Sequence, residues 1–85
     1  MSIEVRYARS FLKDLKSLES AAYQQVYQVV FEEFVQLKRI QDLPDIHPIG
    51  SDAIFYRFTI DNYIVAIEVM GNIVKFWRVL PKPYI

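Results

Sequence analysis

The stretch from Ile54 to Leu80 constrains this chain more than any other. It holds three runs rich in β-branched and aromatic residues, separated by Asp61-Asn62 and Gly71-Asn72, pairs of the kind that close two-residue hairpins. It therefore reads as a three-stranded antiparallel meander. A two-residue loop fixes which residues face each other, and side chains alternate with a period of two. Pairing Ile60 with Tyr63 sets Phe58 opposite Val65, Tyr56 opposite Ile67 and Ile54 opposite Val69, an apolar face throughout. Across the second turn Met70 meets Ile73, so Val69 meets Val74 and Ile67 meets Phe76 on that same face. The other face carries Phe55, Arg57, Thr59, Ile64, Ala66, Glu68, Lys75, Trp77 and Val79, with Glu68 across from Lys75 as a favourable charge pair. Arg78 is the misfit. Strict alternation sets it opposite Val65 on the apolar face, so either a β-bulge re-aims it or the helical cover ends before it.

Upstream, Ile3, Val5 and Tyr7 alternate with Glu4 and Arg6, which predicts a short half-buried strand with Arg6 turned away from the core. From about Arg9 the period changes. Phe11, Leu12, Leu15 and Leu18 stand at helical spacing among Lys13, Asp14, Lys16 and Ser17, the pattern of a short amphipathic helix. Ser20 is a candidate N-cap for a second helix, running from about Ala21 to Lys38 or Arg39. Tyr23, Val26, Tyr27, Val30, Phe34 and Leu37 form its stripe, widened by Phe31 and Val35. A stripe this wide predicts burial on more than one side, as a core helix rather than a partner-binding groove. Pro44 and Pro48 forbid continued helix, and Gly50-Ser51 leads into the meander. Pro81 and Pro83 make the tail extended.

The chain of 85 residues, 53% of them apolar, reads as one small domain, residues 1–85, able to build a core without staples. It has no cysteine and one histidine, so disulfides, thiolate metal sites and a His-rich zinc site are not expected. Ten basic and ten acidic residues balance, which counts modestly against nucleic acid as partner, although a local basic patch can do what net charge does not. The opening Met-Ser-Ile-Glu-Val-Arg lacks the charge-then-apolar pattern of an export signal, and no run approaches a membrane span. The expectation is a cytoplasmic protein with no membrane partner.

The element order, with Gly50-Ser51 ahead of Phe55-Tyr56-Arg57-Phe58, then Tyr63, Glu68-Val69, Gly71, Val74 and Arg78-Val79-Leu80, resembles the RelE/ParE superfamily of bacterial toxins. Tyr7-Ala8-Arg9-Ser10-Phe11-Leu12-Lys13-Asp14-Leu15 is similar to that family's first strand-to-helix passage. The resemblance implies an α+β fold, β-α-α-β-β-β, an antiparallel sheet with two helices packed on one face. It implies a type II toxin neutralised by a cognate antitoxin, as a homodimer or a toxin–antitoxin heterotetramer. RelE-like members cleave mRNA in the ribosomal A site, the ribose 2′-hydroxyl attacking the adjacent phosphate, with no metal and no cofactor. The alternative is a ParE-like or catalytically inactive toxin that binds a protein target such as DNA gyrase.

Carried over residue by residue, the family's two basic positions on the strand entering the meander fall on Arg57 and on Thr59, which has no charge. The arginine that the family places after a strand-opening tyrosine is Ile64 here, following Tyr63. A basic residue beyond the last strand aligns with Lys82. The family's C-terminal tyrosine or histidine, often the proton donor, would lie past Ile85; Tyr84 serves only if the tail folds back. Losing a group that acts in the transition state commonly costs about 100-fold or more, so the resemblance implies a slow nuclease. The candidate catalytic residues are Arg57, Lys82 and Arg78. Those for RNA or antitoxin binding are Arg6, Phe55, Thr59, Ile64, Trp77 and Tyr84. Phe55, Ile64, Trp77 and Val79 are expected to form an apolar patch on the uncovered face, best suited to an antitoxin segment. Plainer readings stand beside these: Arg57 as a surface arginine diagonal to Glu68, Lys82 as a solvated tail residue, Arg78 as a snorkelling side chain, Arg6 as a strand surface charge. His47 reads as a loop residue rather than a general base.

Overall fold

A computed structural model of the protein describes residues 3–36, 46–51 and 54–82. Strand β1 (Glu4–Tyr7) leads through Ala8 into α1 (Arg9–Lys16), and α2 (Ser20–Tyr27) follows, continuing through a π turn (Gln28–Glu33) and a 3₁₀ turn (Phe34–Gln36). Then come β2 (His47–Pro48), β3 (Phe55–Ile60), β4 (Tyr63–Met70) and β5 (Ile73–Pro81). The strands form one sheet in the order β1-β5-β4-β3-β2.

The meander has the register that its turns dictate. Ile60 faces Tyr63, Phe58 faces Val65 and Tyr56 faces Ile67, while Met70 faces Ile73 and Ile67 faces Phe76. Each turn puts a positive φ on its first residue, Asp61 at 53° and Gly71 at 61°, the arrangement of hairpin turns that match the strands' twist. One part of the sheet is not antiparallel. β1 lies parallel to β5, Val5 against Val74 and Tyr7 against Phe76. Parallel strands need a crossover between them, and the two helices, stacked on one face, belong to that connection. The sheet is therefore mixed.

Helices and sheet enclose one core: Phe11 and Leu15 from α1, Val26, Val30 and Phe34 from the second helical segment, and Phe58, Val65, Ile67, Val74, Phe76 and Val79 from the sheet. Phe76 sits at its centre, 5.3 Å from the Phe11 ring centroid and 4.9 Å edge-on to Phe34.

Of the two explanations open for Arg78, the bulge is the one present. Pairing runs from Ile67 with Phe76 directly to Ala66 with Arg78, so Trp77 is the extra residue. A bulge sets two residues against one and re-aims the strand. Arg78 thereby leaves the apolar face, where burying a guanidinium would be costly, and Val79 takes the core position at 1% exposure. This corrects the assignment of Val79 to the uncovered patch.

Past Tyr7, β1 no longer covers the edge of β5, and α1 takes over. Ala8 N–H donates to the Phe76 carbonyl at 2.9 Å, the Ser10 hydroxyl donates to the Trp77 carbonyl at 2.6 Å, and the Val79 N–H donates to Asp14 Oδ2 at 3.1 Å. The Ala8 backbone and two α1 side chains thus pair the polar edge that a strand would otherwise satisfy.

The second helix departs from its expected form in three ways. Its N-cap is Glu19, without a side-chain cap bond, and Ser20 is its first helical residue. It opens into a π turn. Its buried residues, Ala22, Val26, Val30 and Phe34, repeat every four positions, which outruns an α-helix of 3.6 residues per turn by about 40° a step; a wider turn takes up that drift and keeps the row on the sheet. Finally, the stripe is narrower than predicted, since Tyr23, Tyr27 and Val35 are exposed. Tyr27 stacks on Phe31 and Phe31 on Tyr7 at centroid distances of 4.7 and 4.6 Å. Leu37 to Arg39 lie outside the described residues.

Candidate functional site on the open sheet face

The helices cover one face of the sheet, so side chains that alternate with the core residues stand on the other. Their order across the strands follows from the register. One row reads His47, Arg57, Ala66, Arg78, from β2 to β5. Residues directly opposite share a face at strand spacings of about 4.8 Å, so the Cα atoms of Arg57 and Arg78 lie about 10 Å apart. Only the methyl of Ala66 stands between them. Arg57 is exposed, and its side chain makes no hydrogen bond or ion pair among the described residues.

Arg78 is engaged. Its Nε donates to Asp14 Oδ2 at 2.6 Å and its Nη2 to Oδ1 at 3.0 Å, a two-pronged pair to α1. The Arg78 hydrogen bond, with help from the Val79 N–H and the arginine's charge, holds the Asp14 carboxyl below the usual carboxylate range against the opposing effect of burial.

The next row reads Phe55, Glu68, Lys75, Arg6. Trp77 leans into it from the bulge. Its Nε1 donates to Glu68 Oε1 at 2.9 Å, and the Lys75 ammonium lies 4.3 Å from its ring centroid, so one ring face is already covered by a cation. Arg6 is exposed and paired with Glu4. On the far side of the arginine row, Thr59, Ile64 and Leu80 face each other. Lys82 continues that end, its N–H bonded to the Asn62 carbonyl at 2.8 Å, about 13 Å along the strands from the Ala66 row.

The sequence candidates therefore separate. Arg57 and Arg78 share a row. Lys82 stands at one end of the face and Arg6 on the edge strand β1. The apolar patch does not form as one surface: Phe55 and Ile64 are divided by the arginine row, Trp77 is tied to Glu68 and Lys75, and Val79 is in the core. Tyr84 lies outside the described residues. The loop reading of His47 is corrected by the structure. His47 sits on an edge strand directly across from Arg57, and Pro48 beside it concealed that strand, although proline is tolerated on an edge whose N side needs no partner.

Among the described residues no group of three or more His, Cys, Asp or Glu side chains is placed to hold a metal ion, and no helix is long and apolar enough to cross a membrane. No family model matches the chain. Its fold is that of toxins from toxin–antitoxin complexes. The RelBE2 complex of Mycobacterium tuberculosis matches with a TM-score of 0.76 at 15% identity, over 96% of this chain and 100% of that one. The RelB–RelE antitoxin–toxin complex of Methanococcus jannaschii matches with 0.72 at 31% identity, over 89% and 88%. Toxin RelE3 of Methanocaldococcus jannaschii is 32% identical over 81 residues, 94% of this chain and 91% of its own length. The chain belongs to the RelE family of toxins.

Proposed function

We propose that residues 1–85 act as one RelE-type toxin domain, a metal-independent endoribonuclease that cuts mRNA on the ribosome in the cytoplasm and is neutralised by a cognate antitoxin. The observation that carries this reading is the row His47, Arg57, Ala66, Arg78 on the helix-free face. In such a cut the ribose 2′-hydroxyl attacks the adjacent phosphorus, a 2′,3′-cyclic phosphate forms, and the 5′-oxygen leaves with a proton. Negative charge builds on the phosphorane oxygens, and fixed cations stabilise it. Arg57 is assigned that role, with Arg78 close enough to share the same phosphate. His47, directly across from Arg57, supplies an imidazole of the kind that serves as general acid or base. Thr59 and Ile64 stand where the family carries cations, which makes the enzyme slow. Lys82 and Arg6, at the margins of the face, are assigned to the flanking RNA backbone or to the antitoxin, together with Phe55, Thr59, Ile64 and Trp77.

The test is purified protein with ribosomes and a defined mRNA. Cleavage in the A-site codon is expected, reduced about 100-fold by Arg57→Ala and reduced by His47→Gln. Growth arrest with intact mRNA and damaged DNA would overturn this reading in favour of a toxin that binds DNA gyrase, the alternative less supported by the RelE relatives.

A further inference from the structure

One of the two arginines in the row is occupied elsewhere. Arg78 faces Ala66, yet its guanidinium is turned to the sheet edge, toward Asp14. The two partners are held unequally. Asp14 has a second anchor in the Val79 N–H and its side chain is only 16% exposed, whereas that of Arg78 is 49% exposed. The carboxylate is therefore the fixed half and the guanidinium the movable one. An ion pair with a half-exposed partner is weakly held in water, and two phosphodiester oxygens offer arginine the same forked geometry as a carboxylate.

We infer that Asp14 is a positioning residue: it parks Arg78 at the sheet edge in the RNA-free protein, and a phosphodiester lying over Ala66 draws Arg78 across to join Arg57. The inference rests on the reading that the arginine row receives RNA. The resting protein then presents one arginine of the row to stray RNA, and the second is recruited only where a phosphate reaches both.

The test separates recruitment from cleavage by using a single-stranded RNA oligonucleotide with 2′-O-methyl riboses, which has no attacking hydroxyl, in the absence of ribosomes. Asp14→Asn keeps an oxygen for the Val79 N–H and removes the charge that holds Arg78. Fluorescence anisotropy is expected to show binding tightened about three- to tenfold at low salt, with a salt slope steeper by about 0.7, one additional phosphate contact. The double variant Asp14→Asn/Arg78→Ala should lose that gain. Glu19→Gln, which removes a charge from the cleft that Glu19 lines together with Asp14, Val79 and Leu80 without touching Arg78, should give less. In the wild-type protein, the Arg78 Nε–H nuclear magnetic resonance signal should move as the oligonucleotide is added.

A gain that survives loss of Arg78, an equal gain from Glu19→Gln, no gain, no binding by any variant, or an unmoved Nε–H signal at saturation would each overturn the inference. If the expected binding changes appear while ribosomal mRNA stays intact, the parking role stands and the cleavage reading falls. If Arg57-dependent cleavage occurs and Asp14→Asn binds no tighter, the reverse holds.

Discussion

The two faces of this sheet are built from the same strands and obey different rules. On the helix side Phe58, Val65, Ile67, Val74, Phe76 and Val79 are all almost fully buried and belong to one core cluster. On the open side the side chains are half-buried or exposed and act in small sets: Arg78 with Asp14, Trp77 with Glu68 and Lys75, and Arg57 unengaged among the described residues. Stability is concentrated on the first face, and the chemistry proposed for the protein lies on the second. Substitutions one residue apart should then have effects of different kind.

The largest contrast is at the end of β5. Val79→Lys would place an ammonium in the core, where nothing pairs it, and is expected to cost about 4 kcal/mol or more. A domain of this length has a total stability of about 4 to 13 kcal/mol, so the variant should lose about a third of it or more, and all of it at the low end of that range. Leu80→Lys, on the open face, should change stability by less than about 0.5 kcal/mol. Urea denaturation of both checks this, and a reversed order, with Leu80→Lys costing more than Val79→Lys, would mean that the bulge at Trp77 does not exist.

Arg57→Ala comes next and tests the division from the other side. Its unfolding free energy should stay within about 0.5 kcal/mol of wild type, while mRNA cleavage falls about 100-fold, equivalent to about 2.7 kcal/mol on the barrier. A variant that loses cleavage together with its fold would erase the distinction between the faces at this position.

The helix-side face was legible in the sequence because burial over-determines it. Two-residue turns fixed the pairings of Phe58 with Val65 and Ile67 with Phe76, and a slip of one residue would have exposed the whole set. The signal weakens where burial does. Val79 was assigned to the wrong face because an extra residue leaves no mark on side-chain alternation except the misfit it repairs, here Arg78. The direction of β1 was not readable, since alternation is the same for a parallel or an antiparallel strand. His47 reads as loop because its strand has two residues, one of them proline. The row that brings His47, Arg57 and Arg78 together depends on that short strand and on that bulge, so only its central Arg57 could be singled out on local grounds.

A smaller effect is expected at the seam between the faces. Ser10→Ala removes the donor to the Trp77 carbonyl and leaves that oxygen without its bond from α1. The cost should be about 0.5 to 1.5 kcal/mol, measured by the shift in urea midpoint at constant slope. A neutral result would show that α1 does not substitute for a strand along this edge, and would weaken the account of how the bulge is supported.

The smallest effect lies in the Asp14 and Arg78 pair, and pH is what isolates it. The folded protein holds the Asp14 carboxyl below its ordinary value, chiefly through the Arg78 hydrogen bond, so the unfolded chain takes up this proton at a higher pH than the folded one does. Stability then rises with pH wherever the unfolded state binds more protons. The contribution is fully present above about pH 5, declines as pH falls through the unfolded carboxyl's value near 3.9, and is gone once the folded carboxyl is protonated. Arginine stays charged across this range and adds no slope of its own. Unfolding free energies of wild type and Asp14→Asn should therefore differ by a constant small amount at neutral pH and converge in acid. A difference that persists unchanged to pH 2 would mean that Asp14 acts through packing and the Val79 bond alone, leaving Arg78 unrestrained on the open face.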